Sequence, residues 1–183
     1  MAFHHVAITT KNLDATHRFY TEAMGFELVK VEAQPTPTPD KTGWARHLFY
    51  DTGNGEMFAV WDIHDAMLDA GGYKTEISTA LGLPPWANHI AFASPDVDDL
   101  KVKLERWLDN GIDCVRIDHG WCTSIYADDP NGITVEFCAS TREFTDADRE
   151  QAQALLAASK PELNRAEPEV EFFTADVNAS EPT

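Results

Sequence analysis

One segment of this chain occurs twice, and that repeat limits the fold more than any other feature. "HVAITTKNLD" (5–14) and "HIAFASPDVD" (89–98) superimpose without a gap. His5 falls on His89, Val6 on Ile90, Ala7 on Ala91, Thr10 on Ser94, Asn12 on Asp96 and Asp14 on Asp98. Each copy reads as a short apolar strand leading into a helix start. The first helix is expected from about Leu13 to Met24, with Phe19, Tyr20 and Met24 for its buried face and Gly25 as its stop. The second is expected from about Val97 to Asp109, with Leu100, Leu104, Trp107 and Leu108 apolar and Gly111 as its stop. Three strand-like runs follow each helix: "FELVKVEA", "ARHLFYDT" and "EMFAVWDI" in the first copy, "DCVRI", "TSIYADD" and "ITVEFCA" in the second. An Asn-Gly turn, Asn54-Gly55 or Asn131-Gly132, joins the last two strands of each set.

The fold class that follows is α+β, with two tandem βαβββ modules, a C-terminal helix and an acidic tail. The first module spans 1–63, a connector 64–85, the second module 86–140, and the C-terminal helix and tail 141–183. The connecting stretch "HDAMLDAGGYKTEISTALGLPPWAN" is polar, contains Gly and Pro, and has room for a short helix. "QPTPTPDKTGW" (34–44) is too broken for a strand and reads as a surface loop or as a flap over a pocket. After residue 141, "TDADREQAQALLAAS" carries a helix cap, whereas "KPELNRAEPEVEFFTADVNASEPT" is expected to be loosely ordered.

Composition removes several classes of partner. The chain has 31 acidic and 14 basic residues, a net charge of −17. Such a field repels phosphate backbones and anionic lipid, so neither nucleic acid nor a membrane surface is an expected partner. No window approaches the ~20 apolar residues of a membrane span, and "MAFHHVAITT" lacks the basic patch and apolar run of a signal peptide. Cys114, Cys122 and Cys138 are odd in number and lack paired metal spacing, so they read as reduced thiols of a cytoplasmic protein.

The chemistry gathers at the end of the second module. Glu136 stands among apolar strand residues in "ITVEF", and a buried carboxylate without a partner is costly. Asp129-Pro130-Asn131-Gly132 suits a type I turn with Gly in the left-handed position, which favours a three-residue loop and a Gly bulge. Asp129 then opposes Ile133, and counting outward sets Tyr126 opposite Glu136 on one face. His5 and His89 hold equivalent places on equivalent strands, so they can face each other across the axis relating the modules. With Glu136 they form a two-histidine, one-carboxylate set, the donor set of non-haem Fe(II), with Mn(II) or another divalent ion as alternatives. Aligning the Asn-Gly turns sets Ala59 at the place of Glu136. The first module then supplies no matching carboxylate; Glu56 is the nearest candidate for a fourth ligand.

On these residues the sequence resembles the vicinal oxygen chelate superfamily, which includes glyoxalases, bleomycin-resistance proteins and extradiol dioxygenases. The paired "HVAI" and "HIAF" strands and the "DPNGITVEF" ending carry the likeness over residues 3–140. Within it, residues 117–136 are similar to the extradiol ring-cleaving signature, through His119, Ile125-Tyr126, Asp129-Pro130, Gly132 and Glu136. The resemblance implies a cupped mixed sheet around a metal site, with Fe(II) held by His5, His89 and Glu136. It implies that His119 is the acid-base, oxygen-interacting histidine and that Tyr126 hydrogen-bonds a substrate hydroxyl. His64 and His47 are candidates for the further acid-base histidine that some of these enzymes use. The implied activity is opening of a catechol-like diol with O2 by a homodimeric enzyme acting on a small aromatic or 1,2-dioxygenated molecule. Two other activities fit the same residues: a glyoxalase- or epimerase-like enzyme working through an enediolate with Glu56 as base, and a non-catalytic binding or resistance protein.

Overall fold

A computed structural model describes residues 3–36, 42–53, 55–164 and 167–176. Asn54 of the first expected turn and residues 37–41 of the expected flap lie outside the described residues. In chain order the elements are β1 (His5–Thr10), α1 (Leu13–Arg18), β2 (Glu27–Pro35), β3 (Trp44–Asp51), β4 (Met57–His64), α2 (Ala66–Gly71), β5 (His89–Ala93), α3 (Val97–Asp109), β6 (Cys114–Asp118), β7 (Cys122–Asp128), β8 (Thr134–Ser140), α4 (Asp146–Ala157) and β9 (Glu169–Phe173). The expected βαβββ unit is present twice. One sheet has the order β1-β4-β3-β2 and the other β5-β8-β7-β6-β9. In each, the strand before the helix pairs in parallel with the last strand of its module.

Three elements depart from expectation. The first helix is α-helical only to Arg18; Phe19–Ala23 form a π-turn in which the Met24 amide donates to the Phe19 carbonyl. β2 runs on to Pro35, pairing Gln34 with Ala45 and Pro35 with Trp44, because β3 extends beside it. The tail expected to be loose contributes β9 as the outer neighbour of β6. Its "EVEFF" alternates, setting Val170 against Ile117 and Phe172 against Val115. An Arg116–Glu171 ion pair at 2.6 Å and an Ala175 amide donating to Asp113 Oδ1 at 2.8 Å hold it in place.

One core joins the two modules. Strand alternation turns Ile8, Leu48, Tyr50, Phe58 and Val60 of the first sheet and Ile125, Val135, Phe137 and Ala139 of the second into it. Leu100, Leu104 and Trp107 of α3 and Phe19 and Tyr20 of the π-turn complete it. Phe92 of the second module lies 4.9 Å from Phe26 and 5.7 Å from Phe58, ring centre to ring centre. Burying one such side chain contributes about 2 kcal/mol, so the aromatic contacts bind the modules as well as fill each. The alternation that sends these residues inward turns His5, His47 and Phe49 to the other face of the first sheet, and His89, Tyr126 and Glu136 to the other face of the second. No helix among the described residues is long and apolar enough to cross a membrane.

Candidate active site

The site starts with the β7–β8 turn. Asp129 is buried, and its Oδ1 accepts from the amides of Asn131 and Ile133, each at 2.8 Å. Its Oδ2 accepts from Asn131 Nδ2 at 2.8 Å and from the Tyr20 hydroxyl at 2.9 Å. Gly132 takes φ 72°, where a side chain is strained, and a Cβ there would come within 2.7 Å of Glu76 Cγ. The loop therefore has three residues, closed by the Asp129 amide donating to Ile133 O at 2.9 Å. An odd loop sets the register, and Tyr126 stands directly opposite Glu136. Asp128 is exposed, and it accepts from Thr134 Oγ1 at 2.8 Å.

Glu136 is 5% exposed. Its partner is His89, whose Nε2 lies 3.0 Å from Glu136 Oε2. His89 Nδ1 is 3.0 Å from the carbonyl oxygen of Trp86. A carbonyl only accepts, so Nδ1 carries the proton there, and a neutral ring presents a lone pair at Nε2. A lone pair and a carboxylate oxygen at this distance repel unless a positive species joins them, either a proton on Nε2 or a metal ion bound by both. Two ligand atoms bound side by side at about 2.1 Å from one ion lie about 3 Å apart, so this donor pair fits a divalent metal. The Trp86 carbonyl is the outer-shell acceptor that a metal-ligating histidine requires. Sequence reasoning missed this contact; the "PPWAN" turn just before His89 was the available signal.

Beside the pair, Tyr126 Oη and His119 Nε2 are 2.9 Å apart, and the Tyr126 ring packs edge-on to His89 at 6.1 Å. Burial and the negative charge of Glu136 push the Tyr126 hydroxyl well above the usual tyrosine range. It is therefore a neutral phenol and a hydrogen-bond donor through the physiological range. A cavity of about 410 Å³ opens over these groups, with Trp86, Val115, Ile117 and Thr134 beside His89, His119 and Tyr126. Its walls are mostly apolar with a few polar side chains among them, as in a small-molecule site.

His5 is elsewhere. Its Nδ1 lies 2.8 Å from His4 Nδ1, and its ring is 5.6 Å from Phe49 and 6.0 Å from His47. Among the described residues of one chain, no three His, Cys, Asp or Glu side chains approach closely enough to hold a metal. The structure thus brings together His89, Glu136, Tyr126 and His119, but not His5. His47 is stacked on Trp61 at 3.7 Å, is 8% exposed and has no hydrogen-bond partner at Nε2 among the described residues. Burial, reinforced by the nearby His5, lowers its pKa. His64 stacks on Trp44 and pairs with Asp62 at 3.0 Å. Glu56 lines a crevice of about 270 Å³ together with His89 and Phe92. The buried Cys122 thiol, pushed up to about 12 chiefly by burial, is protonated and unreactive.

A family model described as the Glyoxalase/Bleomycin resistance protein/Dioxygenase superfamily matches residues 2–137. Among solved structures, a glyoxylase/bleomycin resistance protein/dioxygenase domain from Frankia sp. EAN1pec is 18% identical, with a TM-score of 0.59 over 79% of this chain and 95% of that one. The fosfomycin resistance protein FosX from Listeria monocytogenes is 17% identical, with a TM-score of 0.53 over 77% of this chain and 94% of that one. A glutamate-to-glutamine mutant of that FosX, complexed with Mn(II) and 1S,2S-dihydroxypropylphosphonic acid, is 18% identical, with a TM-score of 0.51 over 76% and 93%. No curated protein sequence matches.

Proposed function

The chain belongs to the Glyoxalase/Bleomycin resistance protein/Dioxygenase superfamily, and from that premise we propose that it is an Fe(II)-dependent extradiol-type dioxygenase acting on a catechol-like diol. The observation that carries this reading is the meeting of His89, Glu136, Tyr126 and His119 on one face of the second sheet. His89 Nε2 and Glu136 Oε2 would hold the metal, and Mn(II) suits the same donors. A third protein ligand must come from outside this cluster. We assign it to His5 of the partner subunit in a homodimer, because His5 lies on a sheet face turned away from the core its own chain shares with the second module.

When bound, the metal would lower the pKa of the diol and hold both reactants in one place. The protein's own groups do the rest. Tyr126, kept neutral, donates its hydroxyl proton in a hydrogen bond to a substrate oxygen. His119 Nε2, now 2.9 Å from that hydroxyl, takes up the proton released when the diol binds and returns it as the ring opens. Val115 and Ile117 exclude water from the ring.

Anaerobic loading with Fe(II), followed by oxygen uptake against a panel of catechols, is the direct test. Uptake with ring-fission absorbance is expected; tightly bound iron with no uptake on any catechol would overturn the dioxygenase assignment. The shared site is tested separately by mixing two inactive variants, His5→Ala and Glu136→Gln. Random pairing makes half the dimers mixed, each with one intact site, so about a quarter of the wild-type activity should return. No recovery from demonstrably mixed dimers would refute the partner ligand. A second reading draws on Glu56 lining a crevice with His89: an enediolate-forming isomerase or lyase. Oxygen-independent turnover lost in Glu56→Ala would favour it.

A further inference from the structure

Beyond the β7 edge of the candidate site lies a second and larger cavity, of about 780 Å³, between the 119–121 turn and α4. It is outside the family-matched segment 2–137 for most of its wall. The imidazole of His119 lines both this cavity and the smaller one over Tyr126. On the body side its wall is Trp121, whose ring sits 5.0 Å from that of Phe144. On the helix side Asp148, Ala152 and Leu155 form one stripe of α4 at i, i+4 and i+7.

The attachment of α4 is unusual for a surface helix, because none of its residues is buried. It is held at its start, where Thr145 and Asp148 cap each other and Arg142 pairs with Asp148 through two bonds of 2.8 Å. The Thr141 amide donates to Trp121 O at 2.9 Å and ties this lead-in to β7. The helix is thus positioned over a space that the described residues leave open, with Ala152 and Leu155 turned towards Trp121 and Phe144. The charge of the wall is already balanced. Arg142 is engaged by Asp148 and Arg149 by Asp146, so an anionic group would have to compete with a carboxylate in each case.

We propose that this vestibule binds the distal part of the substrate whose reacting end sits over Tyr126 and His89, and that this part is an uncharged aromatic ring. The inference rests on the proposed location of the active site but not on the dioxygenase chemistry. Trp121 and Phe144 supply faces and edges for such a ring, and α4 covers it with Ala152 and Leu155. The ring in turn supplies the burial that the helix lacks.

The test uses metal-free full-length protein and two uncharged probes, phenol and 2-naphthol, titrated by isothermal calorimetry. Wild type is expected to bind 2-naphthol about tenfold more tightly than phenol, the scale of one added aromatic contact. Phe144→Ala and Trp121→Ala should each cut that preference by about fivefold while leaving the phenol affinity and the circular dichroism spectrum unchanged. Glu136→Gln should retain the preference. An unchanged preference in folded Phe144→Ala and Trp121→Ala would overturn the vestibule. So would sedimentation showing that these variants convert a dimer to a monomer without altering naphthol binding, which would make a second copy the occupant. No oxygen uptake by the Fe(II)-loaded enzyme, with the naphthol preference of the metal-free protein intact, would count against the dioxygenase assignment alone.

Discussion

The outer faces of the two sheets are the same construction with different side chains. His5 and His89 correspond, and their neighbours follow by register: Ala59 stands where Glu136 does, Phe49 where Tyr126 does, and Trp61 where Cys138 does. The likeness extends to ring geometry. His5 lies 5.6 Å from Phe49 at 79° and His89 lies 6.1 Å from Tyr126 at 75°. The first face lacks that carboxylate and hydroxyl, and the Phe49, Trp61 and His47 rings pack there beside His5. A duplicated scaffold thus offers two equivalent faces, and substitutions at two register positions leave the carboxylate and the hydroxyl on the second alone.

The largest effect should come from making the second face resemble the first at its carboxylate. Glu136→Gln keeps shape but removes charge, and is expected to abolish iron retention, measured by metal analysis after gel filtration. Full iron content in that variant would break the comparison at its central position. The reverse exchange is next. Ala59 is fully buried, so Ala59→Glu forces a carboxylate into a packed aromatic wall, at a cost of about 3 kcal/mol or more. A fall in Tm of about 6 °C or more should follow; an unchanged Tm would mean that the first face yields more readily than its packing implies.

Tyr126→Phe copies Phe49 into the second face. Turnover should fall by about a hundredfold with a smaller change in substrate KM, because the hydrogen bond that Tyr126 donates to a substrate oxygen strengthens as charge develops on that oxygen in the transition state. A change confined to KM would make Tyr126 a binding residue only. The smallest effect concerns His47. Its folded pKa is lowered, so the unfolded chain takes up the proton first as pH falls. The stability it contributes is therefore complete above the unfolded value of about 6.5 and declines as pH drops below it towards the folded one. Tm measured at about pH 7.5 and pH 5.5 should fall less in His47→Phe than in wild type; an equal fall would assign the acid sensitivity to other groups.

Much of this was legible from residues alone, for reasons that differ by region. The repeat was visible because strand and helix periods are local, and the Asp129-Pro130-Asn131-Gly132 turn allowed the Tyr126–Glu136 register to be counted residue by residue. β9 escaped because its "EVEFF" strand pairs with β6, some fifty residues earlier, and lies within an acidic, proline-containing tail. The π-turn at Phe19–Ala23 was hidden for a similar reason: its Tyr20 serves a contact with Asp129 in the other module. The Trp86 carbonyl was harder to read, since a backbone group leaves no side-chain signature and only the "PPWAN" turn before His89 hinted at it.

By itself the sequence determined the double module, the strand placement of His89 and Glu136, and the Tyr126 phenol opposite Glu136, because these depend on alternation, turn chemistry and counting along adjacent strands. Only the tertiary structure decided that His5 stays with Phe49 and His47 rather than joining Glu136 of its own chain. The two sheets share one core, so their outer faces are directed by how the modules pack, and packing between segments far apart in the chain is not written in any local pattern.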